Sequence, residues 1–356
     1  MKLKINFRLL LLPISFIYSI VAFIRNKLYD LGIKKSWPAV LPTIAIGNLT
    51  VGGTGKTPMT ILITNILKKE FSVAIASRGY KRKSKECIIT HGDHSFDQTG
   101  DEPLLMSRKT NVPVAVCADR LRGINMIKKK LSDVQLVVLD DALQHRRLKA
   151  DVKILLIDYN RPVFNDFFLP AGNLRDNKYR IKEADFIIFT KCPEDLHKRQ
   201  AQRLIEKTGL AAENVFFTKL TYQNPYNPFN GKTFDLDKLK DYTTLIFSGI
   251  SNPTPMENFI KYYTKEVVSI RFGDHKNYQL GDLKKIFYNF ALLYTERKLM
   301  LTTEKDWVKL ERLPIPEEYK PYIYVLPVSF TFLFGQENIF NQKILSYGRK
   351  LTGKDS

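Results

Sequence analysis

The stretch IGNLTVGGTGKTP at residues 46–58 decides the fold. Gly52, Gly53 and Gly55 let the backbone curl and turn its amides inward, Lys56 brings a mobile cation, and Thr57 brings a hydroxyl suited to magnesium. The apolar run PTIAIG (42–47) precedes the loop and a helical pattern opens near Thr57, so a helix N-terminus adds to an anion site. Strand, glycine loop and helix in this order predict a P-loop. Val51, Gly52, Gly53, Thr54, Gly55, Lys56, Thr57 and Pro58 are then the residues expected to wrap the phosphates of a nucleotide. The strict pattern has glycine at position 50, where this chain has Thr50, so the match is to a Gly-Gly-x-Gly-Lys-Thr variant.

Outward from the loop, apolar runs rich in β-branched residues alternate with helical patterns: VAIAS (73–77), VPVAVC (112–117), LVVLD (136–140), VKILLID (152–158) and FIIFT (186–190). Strands this apolar are covered on both faces, which predicts a mostly parallel sheet with helices on each side, a P-loop α/β core over 36–220. The polar segment TYQNPYNPFNGKTFD (221–235) reads as a linker or hairpin-like connector. Beyond it TTLIFSG (243–249), EVVSIRF (266–272), KLMLTT (298–303) and YIYVLPVSF (322–330) predict a smaller second α/β domain over 221–356.

A P-loop needs an acid at the end of a neighbouring strand to hold magnesium or its water shell. LVVLDDALQH (136–145) supplies Asp140 and Asp141 after four apolar residues, without deciding which touches the metal. Gln144 and His145 follow, in reach of the site or on a helix surface. Guanine recognition commonly uses Asn/Thr-Lys-x-Asp, and TKCPED (190–195) has Pro193 where that aspartate would stand, so ATP is favoured over GTP.

The chain has 356 residues, 44% hydrophobic and 12% aromatic, enough for a substantial core. With 56 Lys and Arg against 36 Asp and Glu, its formal net charge of +20 draws an anionic partner: nucleic acid, acidic membrane or phosphorylated substrate. Cys87, Cys117 and Cys192 are an odd number at wide spacing, which fits neither a disulfide framework nor a zinc site and suggests a reducing compartment. The uncharged run LLLLPISFIYSIVAFI (Leu9–Ile24) lies between Arg8 and Arg25. A span usually takes about 20 apolar residues, so this run is short for one. Lying in the membrane interface, spanning, and docking on the protein's own core all remain open, as does a signal-peptide start at Lys2, Lys4 and Arg8, though no small-x-small cleavage site follows. Lys27, Lys34 and Lys35 favour anionic headgroups. The N-terminal 1–35 is therefore expected to be a membrane-associated helix.

A helicase would use the basic charge, but there is one nucleotide motif, no second recombinase-like core and no aromatic-basic module, so no nucleic-acid partner is expected. An anchored P-loop ATPase acting as a switch or chaperone is the rival from another class. Seven pieces in order carry a more specific resemblance: the opening stretch, SRGYKRKS (77–84), TGDEPLLM (99–106), VLDDALQH (138–145), LPAGNLRD (169–176), FGDHKNY (272–278) and TTEKDWVKL (302–310). Over nearly its full length the chain resembles the tetraacyldisaccharide 4′-kinase family of lipid A biosynthesis. The resemblance implies transfer of the γ-phosphate of ATP, with Mg2+, to the 4′-hydroxyl of an acylated glucosamine disaccharide 1-phosphate at the cytosolic face of the inner membrane. No obligate protein partner is implied.

From the residues alone, Asp101 and Glu102 before Pro103 read as a helix cap or as catalytic acids. The resemblance implies that Asp101 is the base and that His275, from the Asp-His pair of FGDHKNY, tunes it across domains that close over the nucleotide. Lys56 would neutralise the transferring phosphate, and Thr57 with Asp140 or Asp141 would hold magnesium. Two positions depart from the family pattern: Lys276 stands where a second histidine is common, and LRDN replaces Leu-Arg-Glu-Pro. Arg175 still offers a bidentate clamp for phosphate, whereas a metal or nucleotide role for the shorter Asp176 is in doubt. Arg78, Lys81, Arg82 and Lys83 form a basic cluster after a strand end, facing either the anionic lipid or ATP, or solvent. TTEKDWVKL reads equally well as a helix cap or a direct contact.

Overall fold

The computed structural model describes residues 7–354; Lys2 and Lys4 of the basic start lie outside them. The chain forms two compact units, one of Met1–Asp93, Met106–Leu220 and Phe330–Ser356, the other of His94–Leu105 and Thr221–Ser329. The split is discontinuous in sequence: the segment carrying Asp101 belongs with 221–329, and the C-terminal segment returns to the first unit.

In chain order the strands are β1 (Trp37–Pro38), β2 (Thr43–Asn48), β3 (Val73–Ser77), β4 (Ile88–Thr90), β5 (Val114–Val116), β6 (Leu136–Leu139), β7 (Leu148–Lys149) and β8 (Val152–Asp158). They continue as β9 (Phe186–Thr190), β10 (Val215–Tyr222), β11 (Thr243–Ser248), β12 (Glu266–Arg271), β13 (Lys298–Thr303), β14 (Ile323–Leu326) and β15 (Val328–Phe332). The helices are α1 (Leu12–Asp30), α2 (Lys56–Leu67), α3 (Phe96–Thr99), α4 (Asp101–Thr110), α5 (Arg120–Lys130), α6 (Lys198–Thr208), α7 (Thr254–Tyr263), α8 (Leu280–Ala291), α9 (Glu304–Leu310) and α10 (Glu337–Thr352).

The large sheet runs β15-β10-β9-β8-β2-β6-β3-β5-β4. β2 and its neighbours β8 and β6 are parallel, as are β3 with β5 and β6, whereas the short β4 is antiparallel to its partner β5. Because side chains alternate along a strand, the sheet feeds two cores. Ala45, Leu155, Ile157, Ile187 and Phe189 face one, where Ile124 and Ile127 of α5 cover them. Ile44, Ile46, Ile154, Leu156 and Ile188 face the other, beneath Met59 and Ile63 of α2 and Phe340 and Ile344 of α10. The second unit is built on a parallel sheet ordered β12-β11-β13-β14. The single run 322–330 is in fact two strands separated by Pro327, which has no N–H for a ladder: β14 stays in the small sheet and β15 joins the large one. The connector 221–235 carries two isolated antiparallel bridges, Tyr226 to Thr233 and Tyr226 to Val325.

One expectation needs correction. Cys87 and Cys117 form a disulfide, with Cα atoms 4.5 Å apart. Spacing hid the pair because the register of β4 against β5 makes it: Ile88 sits opposite Val116, so the next opposed positions are 87 and 117.

Helix α1 inverts the usual amphipathic order. Its buried residues, Ser15, Ala22 and Asn26, are small or polar. Ser15 Oγ accepts from Ala171 N at 2.9 Å, and Asn26 Nδ2 donates to Asp176 Oδ1 at 2.6 Å. Leu10, Ile14, Phe16, Ile17, Val21 and Ile24 face outward. The 23-residue segment Arg8–Asp30 is long and apolar enough to cross a membrane, and only 17% of its apolar window is buried in the protein.

Candidate active site

The loop after β2 is shaped by two glycines in left-handed backbone, Gly52 at φ +97° and Gly55 at φ +89°. Gly55 is also sterically required, because a Cβ there would lie 2.4 Å from the Phe330 ring. Val51 N–H donates to Asn173 O at 2.8 Å, which pins the loop to the segment 169–176, and Thr54 N–H donates to Gly52 O at 3.0 Å within the loop. Gly55 caps α2, whose first N–H groups have no intrahelical acceptor and point into the loop's concavity. Lys56 opens α2 beside Thr57, which is buried, and Pro58 sits in the first turn.

Lys56 Nζ is 3.4 Å from Asn48 Oδ1 and 3.7 Å from Asp141 Oδ2. Arg175 grips the Asp141 carboxylate with both NH groups and also reaches Asn48 Oδ1 at 2.5 Å. Although burial opposes it, the charges of Lys56 and Arg175 hold the Asp141 carboxyl below the ordinary carboxylate range. Asp140, buried at the end of β6, accepts from Ser77 Oγ at 3.0 Å and Thr60 Oγ1 at 3.4 Å. The Thr57 hydroxyl and the Asp140 carboxylate are hard oxygen donors of the kind magnesium takes when phosphates complete its shell. Among the described residues no group of three or more His, Cys, Asp or Glu gathers that could hold a metal ion.

Several members of this constellation were not foreseen. Arg120 is almost wholly buried and donates to Cys117 O at 3.0 Å and Asp140 O at 3.2 Å. Asn48, inside the quoted stretch, holds Thr54 Oγ1 at 2.7 Å. On the other side of the loop, Lys191 donates to Gly53 O and to Asp158 Oδ2, the latter at 2.8 Å. The Arg161 guanidinium lies 3.2 Å from where a Cβ on Gly52 would be. Gln144 donates to Asn48 O at 2.7 Å, which ties it to the loop, whereas burial and the Arg120 charge lower the basicity of His145.

The basic cluster follows β3, the neighbour of β6. Arg78 and Lys81 are exposed, and Arg82 is anchored on Val116 O at 3.1 Å. Asp176 is occupied elsewhere, by Asn26, Asn177 N and Arg180, so its doubtful nucleotide role gives way to holding α1.

The second unit holds another constellation. Asp101 starts α4 with 2% exposure, and its Oδ2 is 3.1 Å from His275 Nδ1. His275 adopts a left-handed φ of +54° and donates its N–H to Gly249 O at 3.0 Å, which fixes the ring's root. Lys305 Nζ is 3.4 Å from His275 Nε2 and 2.9 Å from Glu102 Oε1. A carboxylate can only accept, so His275 donates its Nδ1–H to Asp101, while its Nε2 faces the Lys305 ammonium. Burial alone would raise the Asp101 carboxyl, but the His275 hydrogen bond and the charges of Lys305, His275 and Lys309 bring it down to about 2. Lys276 instead pairs with Asp282 at 2.9 Å.

A family model for tetraacyldisaccharide-1-P 4′-kinase matches residues 7–348. The chain belongs to the tetraacyldisaccharide 4′-kinase family. A tetraacyldisaccharide 4′-kinase of Phocaeicola vulgatus is 38% identical over 96% of this chain and 95% of its own length. One of Flavobacterium johnsoniae is 36% identical over 96% and 97%. The crystal structure of LpxK from Aquifex aeolicus in complex with ATP is similar at a TM-score of 0.73 and 30% identity, covering 95% of this chain and 99% of that one. The parallel sheets and flanking helices expected from the sequence are thus those of a family kinase.

Proposed function

We propose that the P-loop constellation holds ATP and that Asp101 with His275 activates the acceptor in the reaction the family name states. The γ-phosphate of ATP passes to the 4′-hydroxyl of a tetraacyldisaccharide 1-phosphate. The observation that carries the assignment is the buried carboxylate–imidazole pair at 3.1 Å, a base with an orienting group, in a chain that also has a P-loop opening a helix.

Phosphoryl transfer mainly demands positioning and charge neutralisation. Lys56, the loop amides and Arg175 supply positive charge to the phosphates. ATP drawing Lys56 toward itself would exchange the Asp141 carboxylate for phosphate oxygens, and Arg175 keeps that carboxylate neutralised meanwhile. Thr57 and Asp140, with Asp141 alongside, would hold Mg2+, which when bound offsets phosphate charge. Asp101 accepts the proton of the 4′-hydroxyl. His275, donating from Nδ1, fixes the carboxylate's orientation. A carboxylate of low basicity suits a loose transition state, where the hydroxyl loses its proton late. Exposed Arg78 and Lys81, at the sheet end that bears Asp140, are suited to an anionic group of the lipid.

The assay is transfer of labelled γ-phosphate from ATP to purified acylated disaccharide 1-phosphate in detergent. One phosphorylated lipid per ADP is expected; ADP formation without phosphorylated lipid would overturn the reading in favour of a switch ATPase.

The outward apolar face of α1 supports peripheral or shallow attachment at the cytoplasmic face of the inner membrane, where lipid substrate and ATP coexist. Burying one such Ile or Phe side chain is worth about 1.5–3 kcal/mol. The double change Ile17→Glu and Val21→Glu is expected to cut partitioning into anionic vesicles about 10-fold or more, with kcat on detergent-solubilised substrate unchanged. Vesicle flotation and the detergent assay check the two parts.

A further inference from the structure

Behind the Asp101–His275 pair lies a second charged pair that the mechanism above does not use. Lys309, on α9, has no exposed side-chain surface, and its ammonium sits 2.9 Å from Asp306 Oδ1 and 3.8 Å from Asp101 Oδ2. Asp306 is equally buried. Its other oxygen accepts from Gly249 N–H at 3.0 Å and from Thr303 Oγ at 2.8 Å. Gly249 is the residue whose carbonyl receives the His275 N–H at 3.0 Å. Asp306 therefore reaches both halves of the pair: through Lys309 to the Asp101 carboxylate, and through the Gly249 peptide to the backbone of His275. A Cβ on Gly249 would meet Lys276 Cβ at 2.8 Å and Asp306 Oδ1 at 3.3 Å, so the peptide is held close on both sides.

Burying an ammonium completely is costly unless its position is used, and two well-packed apolar residues would stabilise the same volume at least as well. Lys309 does pack as a structural residue would, with its ammonium 5.5 Å from the centre of the buried Tyr278 ring. Its charge, however, faces Asp101 Oδ2, the same oxygen of the proposed base that His275 and Lys305 approach. We infer that Lys309, held by Asp306, is a positioning residue that fixes the Asp101 carboxylate for proton acceptance. This inference rests on the assignment of Asp101 as base. The charged groups around that carboxylate are His275, Lys305 with Glu102 bonded to it, and Lys309 with Asp306.

The test compares Lys309→Met, which keeps the side-chain volume against Tyr278, with wild type in the lipid phosphorylation assay. The expected result is a kcat lower by about 10- to 100-fold, with KM for ATP and lipid within about twofold and an unchanged circular dichroism spectrum. In the Asp101→Ala background the same substitution should change the residual rate by less than about twofold, because it acts through Asp101. A folded Lys309→Met with wild-type kcat, or a full loss added on top of Asp101→Ala, overturns the inference. Should Lys309→Met not fold, Asp306→Asn carries the same expectation at a kcat loss of about fivefold or more, and wild-type kcat in that variant overturns it equally. Wild-type activity in Asp101→Ala would instead overturn the assignment of the base and leave the P-loop reading intact.

Discussion

Asp101→Asn is expected to lower kcat for lipid phosphorylation by about 10²- to 10⁴-fold while ATP affinity stays within about twofold. Asparagine preserves the size and the hydrogen bond from His275, so the loss reports the missing charge and proton acceptor rather than a collapsed site. The ATP term should hold because Asp101 and His275 lie in the second unit, whereas Lys56, Thr57 and Arg175 lie in the first. The comparison also has a stability side. The Asp101 carboxyl is lowered from 3.8 to about 2 in the folded protein. A depressed carboxylate contributes stability that is fully present above its unfolded value and fades as the pH falls toward the folded value. The wild-type carboxylate is thus charged throughout the neutral range, so protonation of Asp101 should cause no fall of kcat between pH 7 and pH 5. In Asp101→Asn, Lys305 and Lys309 lose a shared counter-charge, so this variant should also melt lower than wild type. Calorimetry and isothermal titration with ATP separate the two effects from catalysis.

How much of this site the sequence disclosed depends on what each residue's role is made of. The P-loop is legible because its chemistry is local: three glycines, a lysine and a threonine act within one turn of chain, and β2 and α2 flank them as the apolar pattern requires. Asp140 and Asp141 are legible because a strand end next to a P-loop strand is where topology puts an acid. The Asp101–His275 pair is 174 residues apart and could be expected only through family resemblance. Arg120 left no usable signal, and Lys191 and Lys309 lie inside the quoted TKCPED and TTEKDWVKL without standing out from their neighbours. Each is a cation in an ordinary helix or strand-end context, and its importance comes from burial against a carboxylate or a loop carbonyl that only the folded chain brings near. The disulfide failed for a similar reason, since cysteine spacing says nothing about the register of two strands. Helix α1 was legible in composition but not in orientation: Ser15, inside the apolar run, and Asn26, just beyond it, form the docking face.

Lys56→Met is expected to be as severe as loss of the base, but with a different signature. Lys56 Nζ stands 3.7 Å from Asp141 and 3.4 Å from Asn48 at the mouth of the loop, where the phosphates of a bound nucleotide would replace these partners. An interaction that grows as charge moves onto the transferring phosphoryl oxygens lowers kcat when removed, and one made equally in the ground state raises KM. Lys56 is placed for both, so kcat should fall about 10²- to 10³-fold and KM for ATP should rise. Methionine keeps the stem of the side chain, so α2 and the loop should fold unchanged. The Asp141 carboxylate then keeps Arg175 as its counter-charge, which predicts a small change in melting temperature without nucleotide. The decisive contrast with Asp101→Asn is nucleotide-induced stabilisation: saturating ATP should raise the melting temperature of Asp101→Asn as it does that of wild type, and that of Lys56→Met much less. Equal stabilisation of both variants by ATP would mean that Lys56 contributes nothing to nucleotide binding in the ground state and acts in the transition state alone.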